Sequence, residues 1–134
     1  MRDIFNTGDK KVYKKKVVAL DIAKFDSGTV HQVCSTFSLA KAVEWSSRLF
    51  VLDMKEYDEE GIGTMLTINH KSPALIGEEI EITAFVEKID RNELICSYVA
   101  KVGDRVVADG KTGQKVLKKD KIERLFKELK LNNG

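Results

Sequence analysis

The chain has 134 residues, which suits one domain that is long enough to bury most of the surface its unfolded form would expose. Apolar residues make up 43% and charged residues 33%, and no stretch approaches the roughly 20 apolar residues that cross a bilayer, so we expect a soluble protein without membrane partners. With 23 Lys and Arg against 21 Asp and Glu, the net charge of +2 gives no electrostatic argument for a nucleic-acid partner.

Two further features predict a cytoplasmic location. The first residues, MRDIFNTGDKK, lack the apolar core of a signal sequence. Cys34 and Cys96 have no metal-ligand spacing around them, which favours reduced, packed thiols over a disulfide or a metal site.

The first predicted element is an edge strand over Val12 to Leu20, after a polar lead-in over residues 1–10 that we expect to be loosely held. The strand carries three consecutive lysines, Lys14 to Lys16. Such lysines protect a solvated edge strand from mispairing, an interpretation we favour over a contact with a phosphorylated ligand. Asp21 to Cys34, which contains Ser27-Gly28, shows no sustained period and predicts a loop into the next element.

Thr36 to Leu52 has the pattern of one long amphipathic helix. Apolar or small side chains recur at three- and four-residue steps and form a stripe on a helix of about 3.6 residues per turn: Leu39, Ala42, Val43, Ser46, Leu49 and Phe50. The helix is expected to end near Lys55. The acidic run from Glu56 to Gly61 then predicts a flexible, solvated connection.

From Gly63 the hydrophobic period changes to two, which predicts strands. Leu66, Ile68 and His70 fall on one face of the first of them, so His70 lies on an apolar face. After a turn at Pro73, three runs joined by short turns predict an antiparallel meander: Glu78 to Ile89, Glu93 to Val102 and Arg105 to Leu117.

The chain ends with a predicted short amphipathic helix. Asp120, followed three residues later by Glu123, resembles a capping box, and a polar, loose tail over residues 131–134 follows the helix. Only the long helix is available to cover the apolar face of the sheet, so we predict an α+β hotdog fold in a single domain over residues 1–134. In it, an antiparallel sheet of about five strands wraps around one long helix. An exposed edge strand and one thin helical layer predict a homodimer or a higher oligomer.

Three polar residues lie in or beside this predicted core, and each has an ordinary structural explanation. Thr36 is placed to cap the helix, and His70 to be a hydrogen-bonded core histidine. Glu44 is spaced to form exposed ion pairs with Lys41 and Arg48. Together, however, the three supply a carboxylate, an imidazole and a hydroxyl, which are the groups used in acyl transfer.

Two neighbouring features bear on that chemistry. The Gly61-Ile62-Gly63-Thr64 stretch can bring an unhindered backbone N–H close to a carbonyl oxygen, although two glycines also make an ordinary turn. If Thr36 and Glu44 both lie inside a regular helix, they are about 12 Å apart along its axis and about 80° apart around it. Either Thr36 then lies on the incoming loop and folds back, or the site uses both subunits of a dimer.

The residues resemble a known family. The segment GIGTMLTINHKSPALIGEEIEITAFVEKIDRNELICSYVAKVGDRVVADGKTGQKVL resembles the strand region of hotdog-fold thioesterases similar to fluoroacetyl-CoA thioesterase. Upstream, Thr36 and the Val43-Glu44-Trp45 step resemble the family's helix, with the same eight-residue separation between threonine and glutamate. The resemblance spans roughly Val12 to Leu117. It implies an acyl-CoA thioesterase without metal or cofactor, with Thr36, Glu44 and His70 as catalytic residues and the Gly63 amide on the thioester carbonyl.

The chain also departs from the family pattern. Fluoroacetyl-specific members carry aromatic lid residues ahead of the threonine, whereas His31 is the only ring between Ser27 and Ser35. Gln114 stands where the family has an arginine in its last strand. Two alternatives to a thioesterase stay open: a hotdog hydratase or dehydratase acting on an enoyl-CoA, and a non-catalytic acyl-CoA-binding dimer.

Overall fold

A computed structural model describes residues 1–25 and 28–133, with side chains outside 23–31. In that part of the chain the elements are β1 (Lys10–Lys16), a short 3-10 helix (Ala19–Asp21), β2 (Ile22–Phe25), β3 (Gly28–Cys34), α1 (Thr36–Met54), β4 (Glu59–Leu66), β5 (Asn69–His70), β6 (Glu79–Asp90), β7 (Glu93–Val102), β8 (Arg105–Lys118) and α2 (Lys119–Asn133).

The predicted hotdog architecture is confirmed. One antiparallel sheet has the strand order β1-β6-β7-β8-β4, and the two-residue β5 also pairs with β8. The sheet curls around α1, which contacts all five of these strands. The meander of β6, β7 and β8 begins and ends within one residue of the predicted bounds.

The core lies between α1 and the inner face of the sheet. The side chains that the sequence alternation assigns to the inner face of the meander lie in this core. They are fully or almost fully buried: Ile80, Ile82, Ala84, Val86, Leu94, Cys96, Tyr98 and Ala100. The helix contributes the buried face Leu39, Ala42, Val43, Ser46, Ser47, Phe50, Val51 and Met54. Leu49, which the sequence places in the stripe, is only half-buried.

β1 is an edge strand, as its lysines predict, but it ends at Lys16 and not at Leu20. The chain turns because the Asp21 carboxylate accepts the Val18 N–H (2.8 Å) and lies 3.1 Å from Lys15 Nζ. Burial alone would raise the pKa of Asp21, but these two contacts outweigh it and hold the pKa below its usual value.

The predicted loop over Asp21 to Cys34 is wrong, because β2 and β3 form an antiparallel hairpin. Their register shifts on both sides of Ala23, which breaks the regular alternation and explains the missing period in the sequence. Cys34 at the end of β3 donates its N–H to Ala74 O at 2.8 Å. Ser27 and the side chain of His31 lie outside the described residues.

The acidic connection after α1 is not simply solvated, contrary to our expectation. β4 begins at Glu59, whose buried carboxylate lies 2.8 Å from the Met1 ammonium and accepts the Glu56 N–H. Burial would raise the pKa of Glu59, yet these contacts keep it below its usual value. The N-terminal segment that we expected to be loose also packs on the core, where the rings of Phe5 and Phe50 meet edge-to-face at 5.0 Å.

Two more boundaries differ from expectation. The strand predicted to run unbroken to His70 is interrupted, since β4 ends at Leu66 and β5 starts at Asn69. α2 begins at Lys119 and continues to Asn133, into the predicted tail, and none of its side chains is buried. Gly134 lies outside the described residues. Within the described ranges, no helix has both the length and the apolar character needed to span a membrane.

Candidate active site

Thr36 is the first residue of α1 and lies beside His70. Ser35 caps the helix, because its Oγ accepts the Ser38 N–H at 3.1 Å. The alternative role of Thr36 as the cap is therefore wrong. Its hydroxyl instead forms a hydrogen bond with His70, with 3.1 Å between Thr36 Oγ1 and His70 Nε2.

His70 lies at the rim of a shallow cleft and not in the core. Its backbone pairs with Ala108 on β8, which fixes where the ring projects, and its side chain is exposed. The alternative of a core histidine is therefore wrong. The cleft has a volume of about 390 Å³ and is lined by Val33, Cys34, Ser35, Thr36, His70, Lys71, Ser72 and Pro73.

Glu44 lies in the middle of α1, against strand β4. Its Oε1 is only 3.0 Å from the position that a Cβ on Gly63 would occupy. The predicted ion pair with Arg48 does not form, because Arg48 contacts Glu60 (2.9 Å) and donates to Gly61 O (3.2 Å). The carboxylate therefore faces the strand, and no Lys or Arg side chain that the structure describes forms a salt bridge with it.

The two glycines of β4 allow this close approach. A Cβ on Gly61 would lie 2.8 Å from Val51 Cγ1, closer than real Cβ atoms come to other atoms. Gly61 and Gly63 are two residues apart, so both lack a side chain on the face that meets α1. The spacing noted in the sequence is thus a requirement of helix and strand packing.

The Gly63 amide faces the open edge of β4. Alternate residues of an antiparallel strand direct their N–H groups to opposite sides. Gly61 pairs with Val116, whose N–H donates to Asn92 O and not to β4. The Gly61 N–H instead lies against Glu60 Oε1 at 3.3 Å. Gly63 directs its N–H to the same edge, where β4 has no neighbouring strand in the described part of the chain.

These residues form two pairs at two places on α1. Thr36 and His70 make one pair, and Glu44 and Gly63 make the other. Because Thr36 and Glu44 both belong to the regular helix, about 12 Å of helix axis separates them. One thioester carbonyl cannot be within hydrogen-bond distance of both pairs of the same copy.

A larger cleft of about 600 Å³ opens beside Glu44. Its lining combines exposed aromatic and basic side chains with the Lys15–Asp21 ion pair: Tyr13, Lys15, Val18, Leu20, Asp21, Phe37, Ser38, Lys41, Ala42, Glu44, Trp45 and Arg48. Lys15, one of the three lysines considered for a phosphorylated ligand, already pairs with Asp21. The surface interpretation of this lysine is therefore favoured. Among the described residues, no three His, Cys, Asp or Glu side chains cluster as they would around a metal ion.

Sequence reasoning missed the residues behind Glu44. Gln114 is buried on β8 and donates its Nε2 to Glu44 O (3.3 Å) and to Ser47 Oγ (3.1 Å). Ser47 Oγ in turn donates to Glu44 O at 3.0 Å. The sequence marked Gln114 only as a departure from the family's arginine and gave no indication of its contact with α1.

Known proteins share this fold and this sequence pattern. Residues 17–120 match the family described as fluoroacetyl-CoA-specific thioesterase. A Thermus thermophilus hypothetical protein of known crystal structure, a thioesterase superfamily member, has 30% sequence identity to this chain. The match covers 97% of this chain and 96% of the Thermus chain, with a TM-score of 0.90. The fluoroacetyl-CoA thioesterase FlK is 16% identical over 94% of this chain and 98% of its own, with a TM-score of 0.86.

A hot-dog-like protein from Thermanaerovibrio acidaminovorans also shares the fold, with 19% identity over 92% of both chains and a TM-score of 0.84. No functionally curated protein matches significantly. The family match covers well over half of the sequence, and the Thermus relative is similar over nearly its whole length. The chain therefore belongs to the fluoroacetyl-CoA-specific thioesterase family and is a thioester hydrolase.

Proposed function

We propose that residues 1–134 form one hotdog domain that hydrolyses an acyl-CoA thioester in the cytoplasm, through Thr36, Glu44, His70 and Gly63. One observation carries the proposal: the Glu44 carboxylate lies against Gly63, whose N–H faces the open strand edge. A thioester carbonyl that accepts this N–H is polarised beside a group able to attack it or to activate water.

The complete site is composed of two copies of the chain. The pairs Thr36–His70 and Glu44–Gly63 are too far apart on one helix to share a carbonyl, and a homodimer can bring one pair to the other. The surface around Glu44 suits such an interface, because Phe37 is 81% and Trp45 40% exposed, and Met65 and Leu66 at the end of β4 are also exposed.

In the reaction, the thioester C–S bond breaks and a bond from the acyl carbon to oxygen forms. Glu44 either attacks the carbonyl carbon, giving an acyl-glutamate that water then hydrolyses, or removes a proton from an attacking water. His70 delivers a proton to the departing sulfur and is reprotonated from the water that the reaction consumes, while its hydrogen bond with the Thr36 hydroxyl orients the ring. The products are a carboxylic acid and free coenzyme A, and no redox step is involved.

Thiol release from short and medium acyl-CoAs tests the proposal. Glu44→Gln and His70→Ala should each lower kcat by about 10³-fold, because each removes a group that acts on the reacting atoms. Both variants should keep the wild-type unfolding midpoint, since Glu44 and His70 are exposed.

The same assay separates the alternatives. Wild-type thiol release from both variants would leave Thr36, Glu44 and His70 with structural roles only. Water addition to an enoyl-CoA without thiol release would identify a hotdog hydratase. A denatured protein whose mass has increased by one acyl group after rapid quenching would support the acyl-glutamate route over direct attack by water.

A further inference from the structure

We propose that Gln114 is a positioning residue that sets the distance between Glu44 and Gly63, an inference that rests on the proposed role of Glu44. The backbone of Gln114 lies opposite Gly63 in the register of β8 and β4. Its side chain reaches across to α1, where Nε2 donates to the backbone carbonyl of Glu44 at 3.3 Å. A single residue therefore contacts both members of the pair.

Ser47 completes this connection. Its hydroxyl accepts from Gln114 Nε2 (3.1 Å) and donates to Glu44 O (3.0 Å). The helical turn that carries the carboxylate is thus bonded to β8 through two side chains that are 1% exposed each. Buried hydrogen bonds of this kind restrict how far the turn can shift along the strand.

Stability alone does not account for a glutamine at this position. Gln114 Oε1 is buried and has no hydrogen-bond partner among the residues that the structure describes. It points toward Gly61, where a Cβ would lie 3.4 Å away. An unpaired buried carbonyl oxygen costs free energy that an apolar side chain of similar length would avoid. The glutamine differs from such an apolar side chain in the two hydrogen bonds that its Nε2 donates. Both of these bonds are made to the helical turn that carries Glu44.

Gln114→Met tests the role, because methionine keeps the length and approximate volume of the side chain and removes both donors. We expect kcat to fall about 10- to 100-fold with KM changed less than about 3-fold, since a carboxylate displaced by a fraction of an ångström still permits binding but not reaction. The unfolding midpoint should stay at or above that of the wild type. Gln114→Leu provides a second apolar variant if methionine packs poorly.

Thr112→Val is the matched control. Thr112 lies two residues earlier on β8, on the same face, and is 2% exposed, but it makes no hydrogen bond to the Glu44 turn. The substitution removes a buried hydroxyl from the same strand, and kcat should remain at the wild-type value. Ser47→Ala removes one member of the connection and should reduce kcat less than Gln114→Met does.

The Glu44→Gln background separates this inference from the proposed function. If Gln114 acts through Glu44, then Glu44→Gln/Gln114→Met is no slower than Glu44→Gln alone. Wild-type kcat in Gln114→Met, a change confined to KM, or a double variant that is slower than Glu44→Gln would overturn the role of Gln114 and leave the proposed function standing. Wild-type activity in Glu44→Gln would overturn both.

Discussion

The two candidate catalytic pairs are built in different ways. Thr36 and His70 are both exposed and meet through one hydrogen bond between side chains. Glu44 is exposed at its carboxylate, but its backbone is bonded to buried side chains and its strand approaches through two glycines. The first pair therefore depends on the identity of its side chains, whereas the second depends on backbone geometry. Substitutions that add atoms should harm the second pair more than the first.

The largest effect is expected where the two pairs work together across a dimer. Glu44→Gln keeps the Thr36–His70 pair intact, and His70→Ala keeps the Glu44–Gly63 pair intact. If each site takes one pair from each copy, mixing the two inactive variants restores about a quarter of wild-type activity, because half of the dimers are mixed and each has one intact site. Thiol release before and after subunit exchange measures the gain.

A second mixture supplies the control. Thr36→Ala and His70→Ala damage the same pair, so a mixed dimer has no intact site and the mixture should give only the mean activity of its two parents. Verified mixed dimers of Glu44→Gln and His70→Ala that stay inactive would show that the pairs do not meet across the interface.

The glycine pair offers the next largest effect. In Gly63→Ala, the new Cβ would lie 3.0 Å from Glu44 Oε1 and displace the carboxylate from the strand. The carboxylate has to move by a few tenths of an ångström, so we expect kcat to fall about 10-fold, less than the ~100-fold loss that follows a misplacement of about 1 Å. Thr64→Ala is a matched control on the same strand, since the Thr64 hydroxyl donates to Glu93 and points away from α1. Equal rates in both variants would contradict a role for the close approach at Gly63.

The sequence predicted the parts of the fold in which one physical rule dominates. The alternation along Glu79–Asp90 and Glu93–Val102 reflects burial on one face, so it fixed those strands to within a residue. The hairpin of β2 and β3 could not be found in this way, because shifts of register remove the alternation. Thr36 and His70 were predicted as site residues from their residue types and the family resemblance, whereas the break between β4 and β5, just before His70, is one that no periodicity indicates.

Gln114 and Glu59 illustrate a second limit. Both are polar residues in the interior, and their partners are far away in the sequence: Gln114 bonds to the turn of Glu44, and Glu59 bonds to the Met1 ammonium. Local patterns assign such residues to the surface, because polar side chains are mostly exposed. Only the assembled fold shows which distant hydrogen-bond partners make their burial possible.

The smallest expected effect concerns the beginning of α1, where Thr36 lies. Asp21 connects this end of the helix to β1: its backbone carbonyl accepts the Ser35 N–H at 2.6 Å, and its carboxylate contacts Lys15 and the Val18 N–H. Asp21→Asn keeps an acceptor for Val18 but removes the charge that Lys15 faces. We expect a loss of about 1 kcal/mol in the free energy of unfolding at neutral pH, because the Asp21 carboxylate is buried but solvent still reaches Lys15 and weakens the pair.

The pH dependence identifies the charge as the cause. The pKa of Asp21 is lower in the folded protein than in the unfolded chain, so its charge stabilises the fold fully above the unfolded pKa of about 3.9. That contribution is lost as the pH falls through the folded pKa, because the carboxyl is then neutral in both states. Urea unfolding of wild type and Asp21→Asn should therefore differ at pH 7 and converge in strongly acidic buffer. A difference in unfolding free energy that persists in acid would mean that the substitution acts through packing and not through charge. The Thr36 end of the helix would then be held by buried contacts, as the Glu44 turn is.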